Sequence, residues 1–107
     1  MKSIEFYGRA LSTIRDFPVQ VKHMVGHELN RVQRGMNPTD WKPMPTVGKS
    51  VREIRIHENG QYRVIYLTKP TNIYVLHAFR KKTQKTRQQD IKLARTALRT
   101  LLLRSKP

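Results

Sequence analysis

The side chains best suited to act on a charged substrate fall between Val51 and Arg87. Arg55 and Arg63 stand on either side of Asn59-Gly60. The basic run Arg80-Lys81-Lys82 closes an apolar segment, with Lys85 and Arg87 just beyond it. Cations grouped in this way suit a polyphosphate, and nucleic acid is the foremost candidate. If the substrate is RNA, cleavage needs no metal, because the 2′-hydroxyl can attack its own phosphodiester in line. The protein must then orient that hydroxyl, stabilise charge on the phosphoryl oxygens and move two protons. Arg55 and Arg63 are the candidates for charge stabilisation, because a planar guanidinium grips two oxygens and keeps its charge. Lys81 or Lys82 would assist. For proton transfer the sequence offers His77 in the last strand, His57 near the hairpin, and Glu53 if it shares a face with Arg55. Arg80, Lys81, Lys85 and Arg87 would hold the RNA backbone.

Three strands must position these groups. Residues 51–58 alternate Ile54 and Ile56 against Glu53, Arg55 and His57. Residues 62–69 and 72–80 are apolar on both faces, as central strands are. A two-residue turn at Asn59-Gly60 would set Ile56 opposite Arg63. A three-residue turn with a bulge at Gly60 sets Arg55 opposite Arg63, and Ile54 and Ile56 against Val64 and Tyr62. The second register gives one clean apolar face at the cost of two like charges side by side, which an anion between them would relieve. Two solvated arginines splayed apart are the plainer alternative. Strand parity puts His77 on the face of Ile73, Val75 and Phe79, where a buried, satisfied histidine competes with a catalytic one. For Glu53 a structural salt bridge competes with a base.

The flanking segments supply cover. Residues 3–7 alternate as a short strand, and Gly8 breaks it. Ala10, Leu11, Ile14 and Phe17 lie at helical spacing, and Pro18 opens a second helix, with Asp16 placed to serve exposed donors nearby. Val21, Met24, Val25, Leu29 and Val32 form its apolar stripe, and Gly35 ends it. The pair is expected to form a helix hairpin over one sheet face. His23 and His27 share a helical face but lack a third ligand at metal-site spacing, and read as surface histidines. Residues 36–50, with three prolines, read as a loop, and Trp41 either packs that loop onto the domain or stacks on a base. From Arg87 to Arg104 a closing helix carries Ile91, Ala94, Leu98, Leu101 and Leu102 on one side.

With 107 residues the chain is expected to be one domain, 1–107. Twenty-two Lys and Arg against seven Asp and Glu give a net charge of +15. Such a surface calls for a polyanion or an acidic protein as partner. The absence of cysteine excludes disulfides, cysteine zinc sites and thiol catalysis, and fits a reducing cytoplasm. No signal-peptide pattern and no membrane-length apolar run is present, so the expectation is a cytoplasmic protein with no membrane partner, no cofactor and no metal.

Three segments carry a resemblance: Val51-Arg52-Glu53-Ile54-Arg55, Tyr62-Arg63-Val64-Ile65-Tyr66, and Val75-Leu76-His77-Ala78-Phe79-Arg80-Lys81-Lys82-Thr83 with Lys85-Thr86 downstream. With the order of elements, they make the chain resemble the RelE/ParE toxin superfamily, in its HigB-like, phage-related branch. The resemblance implies an α+β fold, a small antiparallel sheet packed against an N-terminal helix hairpin with a C-terminal helix. It implies the toxin of a type II toxin–antitoxin pair, an endoribonuclease cutting messenger RNA on the ribosome, with a cognate antitoxin whose contacting segment is acidic. It carries over Arg63 and Arg55 as site arginines and Arg80, Lys81 and Lys82 as the basic cluster. With His77, taken from the residues themselves, the catalytic set expected is Arg55, Arg63, His77 and Lys82. The C-terminal tyrosine or histidine of several relatives has no counterpart after His77. Two alternatives stand beside this: a ParE-like inhibitor of DNA gyrase without nuclease activity, and a plain nucleic-acid-binding module.

Overall fold

The apolar runs between residues 61 and 81 become the middle of a five-stranded sheet. A computed structural model describes residues 1–104. Its elements run β1 (Ser3–Phe6), α1 (Ala10–Arg15), α2 (Val19–Gln33), β2 (Trp41–Pro43), β3 (Arg52–His57), β4 (Gln61–Thr68), β5 (Asn72–Lys81) and α3 (Gln88–Arg104). The strand order is β1-β5-β4-β3-β2. Four strands are antiparallel to their neighbours, but β1 pairs with β5 in parallel, so the sheet is mixed rather than purely antiparallel.

Each face is covered. Ile54, Ile56, Tyr62, Val64, Ile73 and Val75 pack against the helical stripe of Ile14, Val21, Val25, Leu29 and Val32. Ile65, Leu67, Leu76 and Phe79 pack against Ile91, Ala94, Ala97 and Leu101 of α3, with Met44 and Val47 from the loop closing that layer. Each such buried aliphatic side chain contributes roughly 1.5–3 kcal/mol by leaving water. The expected stripe on α3 shifts accordingly: Ala97 is buried, whereas Leu102 is exposed.

Several local expectations are corrected. The two N-terminal helices share a sheet face, but α1 is only six residues long and packs chiefly on β5, with slight contact to α2, so they do not form a side-by-side hairpin. Asp16 caps the C-terminal end of α1, and Pro18 is the N-cap of α2 without a side-chain hydrogen bond. Gly35, at φ +83°, ends α2 as expected. Its amide donates to the Val32 carbonyl, and the Met36 amide donates to that of Arg31, satisfying two orphan acceptors of the last turn. Residues 41–43 are a strand inside the expected loop, and Pro43 is tolerated because β2 lies at the sheet margin. Trp41 is half-buried there, with the Arg52 guanidinium 4.1 Å above its ring.

The loop before β2 is held by a carboxylate. Glu28 of α2 is buried and accepts from the Thr39 amide at 2.7 Å and the Thr39 hydroxyl at 2.9 Å. Glu28→Ala removes the shared charged acceptor of both donors and should lower the unfolding free energy by about 1–3 kcal/mol. A urea titration reads this as a lower midpoint with an unchanged slope. Hydrogen exchange should quicken at Thr39 and along β2, and unchanged exchange there would show that the carboxylate does not hold the loop.

Candidate functional site

The β3–β4 hairpin turns through Glu58, Asn59 and Gly60, the last two at φ +49° and +145°. Those left-handed and extended positive values suit Asn and Gly and would strain most other residues. The three-residue turn fixes the bulged register: Ile54 lies opposite Val64, Ile56 opposite Tyr62, and Arg55 opposite Arg63. The two arginines therefore share the face that α3 covers farther along, and near the hairpin that face stays open.

There a cleft of about 580 Å³ is lined by Arg55, Arg63, Lys81, Lys82, Gln61 and the segment Thr83-Gln84. Arg63 forms its floor at 2% exposure. Its Nη1 donates to the Tyr62 carbonyl at 3.0 Å, and its Nη2 reaches the Gln61 side-chain oxygen at 3.4 Å. Beneath it lies Glu53, 0% exposed, with Oε1 3.6 Å from the Arg63 Nε and 4.0 Å from the Lys42 Nζ. Neither Glu53 oxygen has a hydrogen-bond partner among the described residues, nor do the Nε groups of Arg55 and Arg63. The site is thus a stack of charges: one buried carboxylate, a buried guanidinium above it, and further cations at the open surface.

Proton affinities follow from that stack. Burial lowers the pKa of Arg63, and Arg55 lowers it further, while Glu53 opposes both. Lys81 sits half-buried at the end of β5, and its pKa is also lowered, first by burial and then by Arg63, with Glu53 partly restoring it. A lysine so placed gives up its proton more readily than a free one.

Of the residues expected to act, Arg55, Arg63, Lys81 and Lys82 meet in this cleft. Arg80 does not. Strand alternation turns it to the opposite face, where its guanidinium lies 5.7 Å from the Tyr62 ring centroid. Lys85 is exposed on the following turn, and Arg87 is exposed just before α3. His77 lies outside the cleft. Its Nε2 is 2.8 Å from an Asp90 oxygen, and its ring stacks on Phe79 at 5.5 Å. The parity expected for it fails at a bulge: β4 pairs Ile65 with His77 but Tyr66 with Val75. Ile73 and Val75 therefore face α2, while His77 and Phe79 face α3. His57 is exposed and pairs with Asp40 at 3.0 Å. His23 and His27 are exposed on α2. Among the described residues no cluster of three or more His, Asp or Glu is arranged to hold a metal. Gln61 was not foreseen as a lining residue, although it stands two residues before Arg63 and so on the same face. Lys42 entered through β2, which the prolines concealed.

Residues 12–99 match the model of the family described as phage derived protein Gp49-like (DUF891). No curated protein matches the chain.

Glu53→Gln removes the anion beneath Arg63 and leaves a buried guanidinium without its counter-charge. Unfolding should become easier by about 3–5 kcal/mol. Sulfate should stabilise the variant more than the parent, because an external anion then relieves the paired arginines. Thermal melts with and without sulfate check both, and equal melting temperatures for parent and variant would deny the pair its structural role.

Proposed function

This chain belongs to the Gp49-like family of phage-derived proteins, a family of the RelE toxin-like group, and we propose that it is the toxin of a type II pair that cuts messenger RNA. One observation carries the reading: Arg55 and Arg63 lie directly opposite each other in a cleft that also receives Lys81 and Lys82. Two like charges on facing strand positions destabilise a sheet unless an anion offsets them. Glu53 offsets part of that charge from below, and a phosphodiester would offset the rest from above.

In this mechanism the substrate phosphate lies across Arg55 and above Arg63. The 2′-hydroxyl attacks the adjacent phosphorus, the bond to the 5′-oxygen breaks, and the products carry a 2′,3′-cyclic phosphate and a 5′-hydroxyl. Arg55 and Arg63 bind the phosphoryl oxygens more strongly as charge accumulates on them. Lys81, in its neutral form, takes the proton of the 2′-hydroxyl, and its lowered pKa increases the share of that form. Lys82 is exposed at the rim and neutralises charge on the leaving oxygen, which is protonated from a lysine ammonium or from water. The HigB-like assignment, the use of the ribosome as the place of cleavage, and the cytoplasm as its location belong to this same reading. So does an antitoxin with an acidic contacting segment. Among the described residues no helix is long and apolar enough to cross a membrane.

Arg55 is the sharper probe, because Arg63 also holds the fold through Glu53. Arg55→Ala should slow messenger cleavage by about 10²–10³-fold, the usual loss for one preorganised donor, with a melting temperature no lower than the parent's, because the like-charge pair is relieved. The rate of the parent should rise with pH along a limb lying below lysine's ordinary 10.5. Lys81→Arg, which keeps the charge but cannot yield a proton, should flatten that limb. An Arg55→Ala protein that cleaves like the parent removes the cleft from the chemistry, and an unchanged pH profile removes Lys81 from it.

A further inference from the structure

We infer that the outer edge of β5, over residues 76–80, is a docking surface for an extended, partly acidic segment of a partner protein, which joins the sheet as an added strand. β5 has ten residues, but β1 pairs with only Asn72 to Val75 and ends at Phe6. The Tyr7 amide makes the last contact, donating to the Val75 carbonyl, before the chain leaves the sheet at Gly8. From Leu76 onward, β4 is the only strand beside β5 among the described residues. The backbone groups of that stretch that point away from β4 are given no ladder partner there. Such an edge is a template for another strand.

The edge is also open. Two cavities of about 320 and 390 Å³ run end to end along it, sharing Thr13 and His77, with α1 on one side and α3 on the other. Their floor is the consecutive run Leu76, His77, Ala78, Phe79 and Arg80. Side chains of consecutive strand residues mostly point to opposite faces, so they can line one trough chiefly where the strand's edge is its floor. Five residues span about 13 Å, which accommodates a short strand.

The chemistry of the trough changes along its length, and that selects the occupant. At the Tyr7 end the walls are apolar, with Leu76, Ala97 and Leu93, the last 47% exposed on α3. At the other end Arg80, Lys82 and Arg87 stand against Asp16, while Asp90 is occupied by His77. In a chain of net charge +15, a segment with alternating apolar residues followed by carboxylates complements both ends. If the chain is the toxin read above, its antitoxin would supply this segment. The inference rests on that reading for the partner's identity and not for the surface.

A defined peptide tests it: an acetylated, amidated octapeptide with alternating Val and Thr over five positions and three Glu at the end. With the full chain, the amide signals of residues 76–80 and of Leu93 should shift on titration. N-methylation of alternate peptide amides keeps the side chains but removes backbone donors, and should weaken binding at least tenfold. Leu93→Glu, which blocks the apolar end on an exposed position, should weaken it by a similar factor without changing the melt. No shifts at millimolar peptide, shifts confined to the Arg55–Arg63 cleft, or indifference to N-methylation would each overturn the proposal. Leu93 lies outside the cleft, so RNA cleavage by Leu93→Glu should match the parent. Loss of cleavage in Arg55→Ala with peptide binding intact therefore reports on the nuclease reading separately.

Discussion

The structure turns on a buried carboxylate placed under two facing guanidinium groups. Arg55 and Arg63 are paired across adjacent strands, where backbone geometry alone brings their Cβ atoms within about 4.5–5.5 Å. Arg63 is withdrawn from water as well, and its desolvation has to be offset by a partner of opposite charge. Glu53 meets that need from the same face of the neighbouring strand, one alternation away from Arg55. The pairing is incomplete, because 3.6 Å to Nε is an ionic contact rather than a formed hydrogen bond and both carboxylate oxygens remain without donors. A sheet optimised for stability alone would place apolar residues at these three positions. That it holds a strained charge stack instead is the kind of local conflict found where a ligand completes the arrangement.

The rest of the fold keeps that stack in place. One sheet face is sealed by α1 and α2, so the alternate residues of β3 and β4 can be wholly apolar there. That seal fixes the register, since a slip by one residue would drive Arg55 and Arg63 into the helical layer and bring Ile54 and Ile56 out. On the other face α3 covers Ile65 and Phe79 but not the hairpin end, which leaves the charged residues a route to the surface. The helices therefore define the cleft by where they stop.

Much of this was legible in the residues and some was not. The hairpin register followed from Ile54, Ile56 and Asn59-Gly60, because side-chain period and turn chemistry both act over a few residues. The end of α2 at Gly35 was legible for the same reason. What escaped reading depended on partners distant in sequence. β2 forms because β3 offers a free edge to Trp41–Pro43, and no propensity of those residues announces it. The parallel placement of β1 beside β5 joins residues about seventy positions apart. His77 was assigned the wrong companions because one extra residue at the bulge reverses the alternation, and a bulge is set by strand pairing rather than by residue type.

That bulge also decides which cation the cleft receives. Residues 77–81 are paired with 61–65 in a regular register, which sends Lys81 to the face of Arg63 and Arg80 over Tyr62 on the opposite face. Moved by one position, the same basic run would present Arg80 to the cleft. The two side chains carry the same charge but not the same chemistry: an arginine there holds phosphate and nothing more, whereas a lysine with lowered proton affinity can also exchange a proton. The net charge of +15 therefore gives no guide to the site, since adjacent cations in one run serve opposite surfaces. What distinguishes Lys81 from its neighbours is a single inserted residue five positions upstream, at Leu76, in the strand whose outer edge is still open.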